Sequence, residues 1–178
     1  GPDGHPRAGI ILGNRLALLG MRELGIDDPD KAHDDLVVVV ETDRCLPDAV
    51  ELVTGCRLGN RRLKLRDMGK MAATWVDLKA NRAIRVAARE VANQRAMEMY
   101  PALDKQDALE KIYCQLPDDE LFTRRVVRLE LAPEDIPGYQ APRILCAACG
   151  EGVAFGRQIF DGDRALCRSC AGQGYLKA

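Results

Sequence analysis

Four of the chain's seven cysteines lie beyond Leu145, as two C-x-x-C pairs: Cys146 with Cys149, and Cys167 with Cys170. Seventeen residues separate the pairs, within the range of about 15–20 that suits a zinc site. Tetrahedral Zn²⁺ takes four thiolates at about 2.3 Å, and two residues between thiols let one tight turn aim both at the same ion. Gly150, directly after the first pair, supplies the backbone freedom such a turn needs. The competing chemistry is redox. A thioredoxin-like C-x-x-C comes once, at a strand-to-helix junction in a βαβ pattern. Two pairs at metal spacing favour structural zinc over redox-active or free thiols. A segment of about 35 residues buries too little core to fold alone, so the metal would supply folding energy.

Three stretches nearer the N-terminus also carry chemistry. His5 stands just before a helix. Cys45 follows a buried strand and opens a helix, whose N-terminus favours a thiolate. Asp67, Gly69 and Lys70 precede another strand. If His5 approaches Cys45, the pair could hold a divalent metal, with Cys56 or Asp43 completing the shell. The same pair could serve as a Cys-His nucleophile. Lys70 and Arg7 suit an anionic group such as a carboxylate. Plainer readings stand beside these. An isolated cysteine is most often a small buried apolar residue, which applies to Cys56 and still more to Cys114. His33, in the polar "DDPDKAHDD" loop, reads as solvated. Asp67 and Lys70 could simply pair across a turn, which is worth little at a surface.

Several elements must position these groups. "IILGNRLALLGMREL", from Ile10 to Leu24, has apolar residues at helical spacing, with Gly25 where a helix stops and Gly13 and Gly20 as close-packing points. Leu36 to Glu41 is a continuous β-branched strand. "CLPDAVELVTG" is a short helix with Pro47 in its first turn. "RRLKLRD", "AATWVDLK" and "AIRVAAR" alternate as strands, the last two joined by a "KANR" turn. "AREVANQRAMEMY" and "DKQDALEKIYCQL" are amphipathic helices, and "LFTRRVVRLEL" is a final strand. Strands not strictly separated by helices favour an α+β fold over a doubly wound sheet. Three prolines in "APEDIPGYQAPR" place a linker at 132–143, between a core domain at 1–131 and a zinc domain at 144–178. In the zinc domain, "DGD" turns a hairpin between "VAFGRQIF" and "RALC". The second cysteine pair opens a terminal turn, as in a treble clef or zinc ribbon. Phe155, Phe160 and Tyr175 read as its small core, with base stacking as the alternative.

The order of the motifs resembles the FmdE family, named for a component of formylmethanofuran dehydrogenase. That family opens with His-Gly-His-x-Cys-Pro-Gly and a Gly-x-Arg on its first helix. It continues with Glu-Thr-Asp-x-Cys, Asp-Ala, Thr-Gly-Cys and Asp-x-Gly-Lys. The counterparts are Gly13-Asn14-Arg15, Glu41-Thr42-Asp43-Arg44-Cys45, Asp48-Ala49, Thr54-Gly55-Cys56 and Asp67-Met68-Gly69-Lys70. They span about the first 90 residues, and some family members carry a C-terminal treble-clef finger. The resemblance implies an α+β core of mixed sheet and helices, a homodimer, and a core pocket of His5, Arg7, Cys45, Cys56 and Lys70. It also raises a second divalent metal in that core. The opening departs from the pattern: His5 matches the second histidine, the first has no counterpart, and Arg7 stands where the family has cysteine. Arginine keeps its proton and cannot ligate a metal, so a site using that cysteine is damaged or rebuilt here.

The resemblance implies an accessory role beside a tungsten or molybdenum redox complex. The alternatives are a regulatory module whose finger binds protein or nucleic acid, and a small enzyme using Cys45. Net charge is −1, and the segment from Arg143 carries five cations against three carboxylates, so nucleic acid has only weak support. P-loop, dinucleotide, nucleophile-elbow and zincin motifs are absent. No apolar run reaches the ~18–20 residues of a membrane span. An odd cysteine count with clustered thiols suits a reducing cytoplasm.

Overall fold

A computed structural model describes residues 7–28 and 35–176. His5 and His33 lie outside the described residues. The chain forms two compact units, Gly1–Leu129 and Glu130–Ala178.

The first unit is built on one mixed five-stranded sheet in the order β2-β1-β3-β4-β5. Its strands are β1 (Leu36–Val40), β2 (Leu63–Leu65), β3 (Ala72–Asp77), β4 (Arg82–Ala88) and β5 (Phe122–Val127). β1 pairs with β2 in parallel, and every other pairing is antiparallel. All five residues of β1 are buried, in keeping with its unbroken apolar "LVVVV" run inside the sheet. Successive side chains point to opposite faces. Leu36, Val38, Val40, Ala73, Trp75, Ile84 and Val86 join the helices in the main core. The alternate positions Val39, Thr74, Arg85 and Arg125 are aligned partners across β1, β3, β4 and β5.

The helices are α1 (Ala8–Leu24), α2 (Cys45–Thr54), α3 (Val91–Met99), α4 (Lys105–Gln115) and the single turn α5 (Asp118–Leu121). α1 packs against α2, β3, β4 and α4. Its small residues set how closely it packs. A Cβ on Gly13 would lie 2.7 Å from that of Ala49, and one on Gly20 would lie 2.3 Å from the Trp75 ring. Arg15 leaves the same helix to hold the end of α4. Its Nη1 donates to the carbonyls of Tyr113 and Leu116, both at 2.6 Å, and its Nη2 to Asp118 at 2.5 Å. Those carbonyls belong to a helix end, where intrahelical donors run out. Arg22 adds a second bond to the same carboxylate.

Some expectations fail in instructive ways. Cys114, expected inside, is exposed on α4. The buried residues of that helix are Ala108, Leu109, Ile112 and Tyr113, and Cys114 falls off their stripe. β5 stops at Val127, short of the expected "RLEL" extension.

The second unit contains two small hairpins, β6 (Ile144–Leu145) with β7 (Gly152–Val153) and β8 (Ile159–Asp161) with β9 (Arg164–Leu166). A helical turn, Ser169–Gln173, carries Cys170, the second member of the last cysteine pair. The proline-rich stretch 132–143, expected as a linker, folds within this unit. Pro133–Asp135 forms a 3-10 turn, and buried Asp135 accepts from Arg157 Nη2 at 2.8 Å. Proline supplied the turn rather than a spacer. The expected aromatic core of the finger also fails: Phe160 is 62% and Tyr175 91% exposed, and Phe155 is also exposed. Cys146 and Leu166 are buried instead. Among the described residues, no helix is long and apolar enough to cross a membrane.

Candidate functional site

The two cysteine pairs converge. The sulfurs of Cys146, Cys149, Cys167 and Cys170 all lie within 4.8 Å of one another, the only such group of three or more ligand-type side chains among the described residues. Cys149 and Cys167 stand 3.9 Å apart. A tetrahedron with sulfur ligands at about 2.3 Å has edges of about 3.8 Å, so this spacing suits a zinc-sized ion. The hairpins explain the convergence. Gly150, at φ 77°, turns the chain so that its amide donates to the Cys146 carbonyl. The Ala147 amide donates to the Ala165 carbonyl at 2.8 Å, tying the first turn to β9.

The thiol electrostatics ask for a cation. Amides of Cys149, Cys167 and Ala148 around Cys146 lower its thiol to about 6. Cys170, facing the sulfurs of Cys167, Cys149 and Cys146, is pushed up to about 12. Four thiolates this close cannot all ionise without positive charge between them. The cluster therefore fits a zinc site.

The residues of the expected core pocket part company. Cys45 opens α2 and lines a cleft of about 390 Å³. Arg7 and Gly9 reach it from the start of α1, Thr42 and Arg44 from the β1–α2 junction, Gly69 and Met71 from the loop before β3, and Glu90 and Gln106 from the starts of α3 and α4. Thr42 is buried, and its hydroxyl accepts from the Arg44 amide at 3.4 Å. Arg7, at the position of the family cysteine, thus brings a cation rather than a thiolate to the cleft that Cys45 lines.

Cys56 is elsewhere. It follows the far end of α2, about 14 Å along the axis from Cys45 at about 1.5 Å per residue. Its thiol is fully buried and donates to the Leu36 carbonyl at 3.7 Å. Burial pushes this thiol up, against a smaller opposing effect from Thr54, as expected for an inert core cysteine. The structure therefore corrects the expectation that Cys56 completes a shell around Cys45.

Lys70 lines a different depression, with Glu41, Arg66, Arg85 and Arg125. The Asp67-Met68-Gly69-Lys70 motif is a turn. Asp67 accepts from the Gly69 amide at 3.0 Å, Gly69 has φ 62°, and the Met68 and Lys70 amides both donate to the Glu41 carbonyl. Asp67 is thus engaged with the backbone of its own turn. Sequence reading missed the partner this turn serves. Glu41 takes a two-pronged bond from Arg85, Nε at 2.6 Å and Nη2 at 2.7 Å. Arg85 holds the Glu41 carboxyl below the usual range against burial, with help from Lys70 and Arg125. The signal was present: Glu41, at the end of β1, falls on the same alternation as Val39.

Known proteins are similar to this chain in sequence and in structure. A probable S-adenosyl-L-methionine-binding protein of Archaeoglobus fulgidus is 30% identical over 195 aligned residues, covering 97% of this chain and 51% of the relative. The chain thus spans about half the length of that curated relative. The crystal structure of a tungsten formylmethanofuran dehydrogenase FmdE-like protein from Syntrophus aciditrophicus matches with a TM-score of 0.59 and 27% identity. That match covers 98% of this chain and 89% of the neighbour. Residues 3–123 match the family described as FmdE, molybdenum formylmethanofuran dehydrogenase operon. With that match over most of its length, on an α+β fold and with the family's motifs in order, the chain belongs to the FmdE family.

Proposed function

We propose that this chain is a cytoplasmic, FmdE-like accessory protein that works as a homodimer, with a ligand pocket at Cys45 and a structural zinc finger. The observation that carries this reading is the convergence of five separate segments on the Cys45 cleft. A thiol, two arginines and a carboxylate meet there in a space large enough for a small molecule. Arg7 and Arg44 suit a carboxylate, and Glu90 suits a cationic group. S-adenosylmethionine carries both kinds of group, and the Archaeoglobus relative bears its name, so it is the first ligand to test. A divalent metal is the second, held by Cys45 together with His5.

The test is ligand-protected alkylation of the full chain. Cys114, exposed on α4, serves as the internal reference thiol. S-adenosylmethionine or Zn²⁺ should slow labelling of Cys45 relative to Cys114. An unchanged ratio with both would refute the pocket. A tungsten or molybdenum redox complex is the partner that the family name raises, and co-purification with the catalytic components of formylmethanofuran dehydrogenase would test it.

A regulatory or interaction role for the finger has its own support. Leu145, Phe160 and Tyr175 are 68%, 62% and 91% exposed, unusual for large apolar side chains in so small a unit. They suit a protein partner better than nucleic acid, given the nearly balanced charge of the segment. The finger's order of turn, hairpin and terminal helical turn suits a treble clef. A salt-dependent gel shift with nucleic acid would reverse the choice of partner.

A further inference from the structure

On the sheet face bearing Arg85, a shallow basin of about 420 Å³ is lined by Glu41, Arg66, Lys70, Arg85 and Arg125, with Val39, Met68, Thr74 and Leu129. Its charges are placed by the backbone. Arg85 and Arg125 are directly opposed across the β4–β5 ladder, an arrangement that repels and destabilises when nothing lies between like charges. Arg66 is tethered by its amide to the Val40 carbonyl at 2.9 Å, and Lys70 by its amide to the Glu41 carbonyl at 3.1 Å. Both therefore arrive on fixed backbone. Arg66, Lys70, Arg85 and Arg125 line it together with the Glu41 carboxylate. That carboxylate engages Nε and Nη2 of Arg85, which fixes the guanidinium plane and leaves Nη1 for another acceptor. Thr74, 8% exposed, stands beside Arg85 in the same row and adds a hydroxyl donor.

We propose that this basin is a binding site for a small multiply charged oxyanion, a di- or tricarboxylate or a phosphate ester. The ligand bridges Lys70 and Arg125 and takes its orientation from Arg85. The site is separate from the Cys45 cleft, with which it shares no lining residue. A planar guanidinium locked by an internal carboxylate recognises oxygen pairs at little entropic cost. The lysine and second arginine add charge that a monoanion would leave unbalanced.

The test is calorimetric titration of the full chain with citrate and with pyrophosphate, the two probes separating the carboxylate and phosphate sources. One of them should bind at low ionic strength and weaken as salt rises. K70Q and R125Q should each weaken that binding about tenfold, the effect of losing one charge-assisted hydrogen bond. K79Q, in the turn between β3 and β4, should leave it unchanged. Lys70 stands on an exposed loop, so K70Q keeps the test informative should R125Q fold poorly. Binding of neither probe would overturn the site, as would equal affinities for K70Q, R125Q and K79Q.

Discussion

A Cβ placed on Gly9 would stand 2.9 Å from Sγ of Cys45. The first turn of α1 therefore forms one wall of the cleft that holds this thiol. Helix α1 can approach the start of α2 this closely only because position 9 has no side chain.

Gly9→Val should therefore crowd Cys45 directly. The expected result is slower alkylation of Cys45 relative to Cys114 and a stability loss of about 1–3 kcal/mol from overpacking. Peptide mapping after iodoacetamide labelling, with a urea melt, checks both. An unchanged labelling ratio would remove α1 from the cleft wall.

Gly20→Ala tests the other end of the helix. The added methyl would meet the ring of Trp75, which is fully buried between helix and sheet. Neither the ring nor the backbone can yield cheaply, so a loss of about 1–3 kcal/mol or more is expected. The sequence placed Gly13 and Gly20 as contact points because both interrupt an otherwise good helix. It could not show that Ala49 and Trp75 are what they meet, since those pairings are long-range. The same limit explains other misses. Cys45 and Cys56 flank one helix, and spacing alone cannot show that one faces a cleft and the other the core. The Pro-rich stretch read as a linker because its fold depends on Asp135 meeting Arg157, a contact invisible locally. The four cysteines were legible because two short local turns nearly define a tetrahedral site.

Arg15→Met removes the donors held by Tyr113, Leu116 and Asp118. Two carbonyls at the end of α4 lose their partner, and a cost of about 1–3 kcal/mol follows. Chemical denaturation and amide exchange in α4 should both register it. A neutral outcome would mean that water replaces the guanidinium without loss.

Acid should destabilise the first unit through two carboxylates. Arg85 lowers the Glu41 carboxyl. Burial alone would raise that of Asp118, but the bonds from Arg15 and Arg22 more than offset it. Both folded values lie below the unfolded ones, so the unfolded chain binds more protons as pH falls. This stabilisation is fully present above the ordinary carboxylate range of about 4 and is lost as pH drops through the lowered folded values. Arg85→Met should flatten that acid-side slope. Urea midpoints at a series of pH values below neutrality provide the measurement. A slope identical to wild type would remove the Glu41–Arg85 pair from the acid response.

The most direct measurement is the metal content per chain of the full-length protein, of C146S/C149S and of C45S, by elemental analysis. About one zinc in the wild type and in C45S, and none in the double variant, is the predicted result. It would make the four terminal cysteines the metal site and Cys45 part of a ligand pocket. Stoichiometric metal retained by C146S/C149S and lost in C45S would contradict the account, placing the metal in the core beside Cys45.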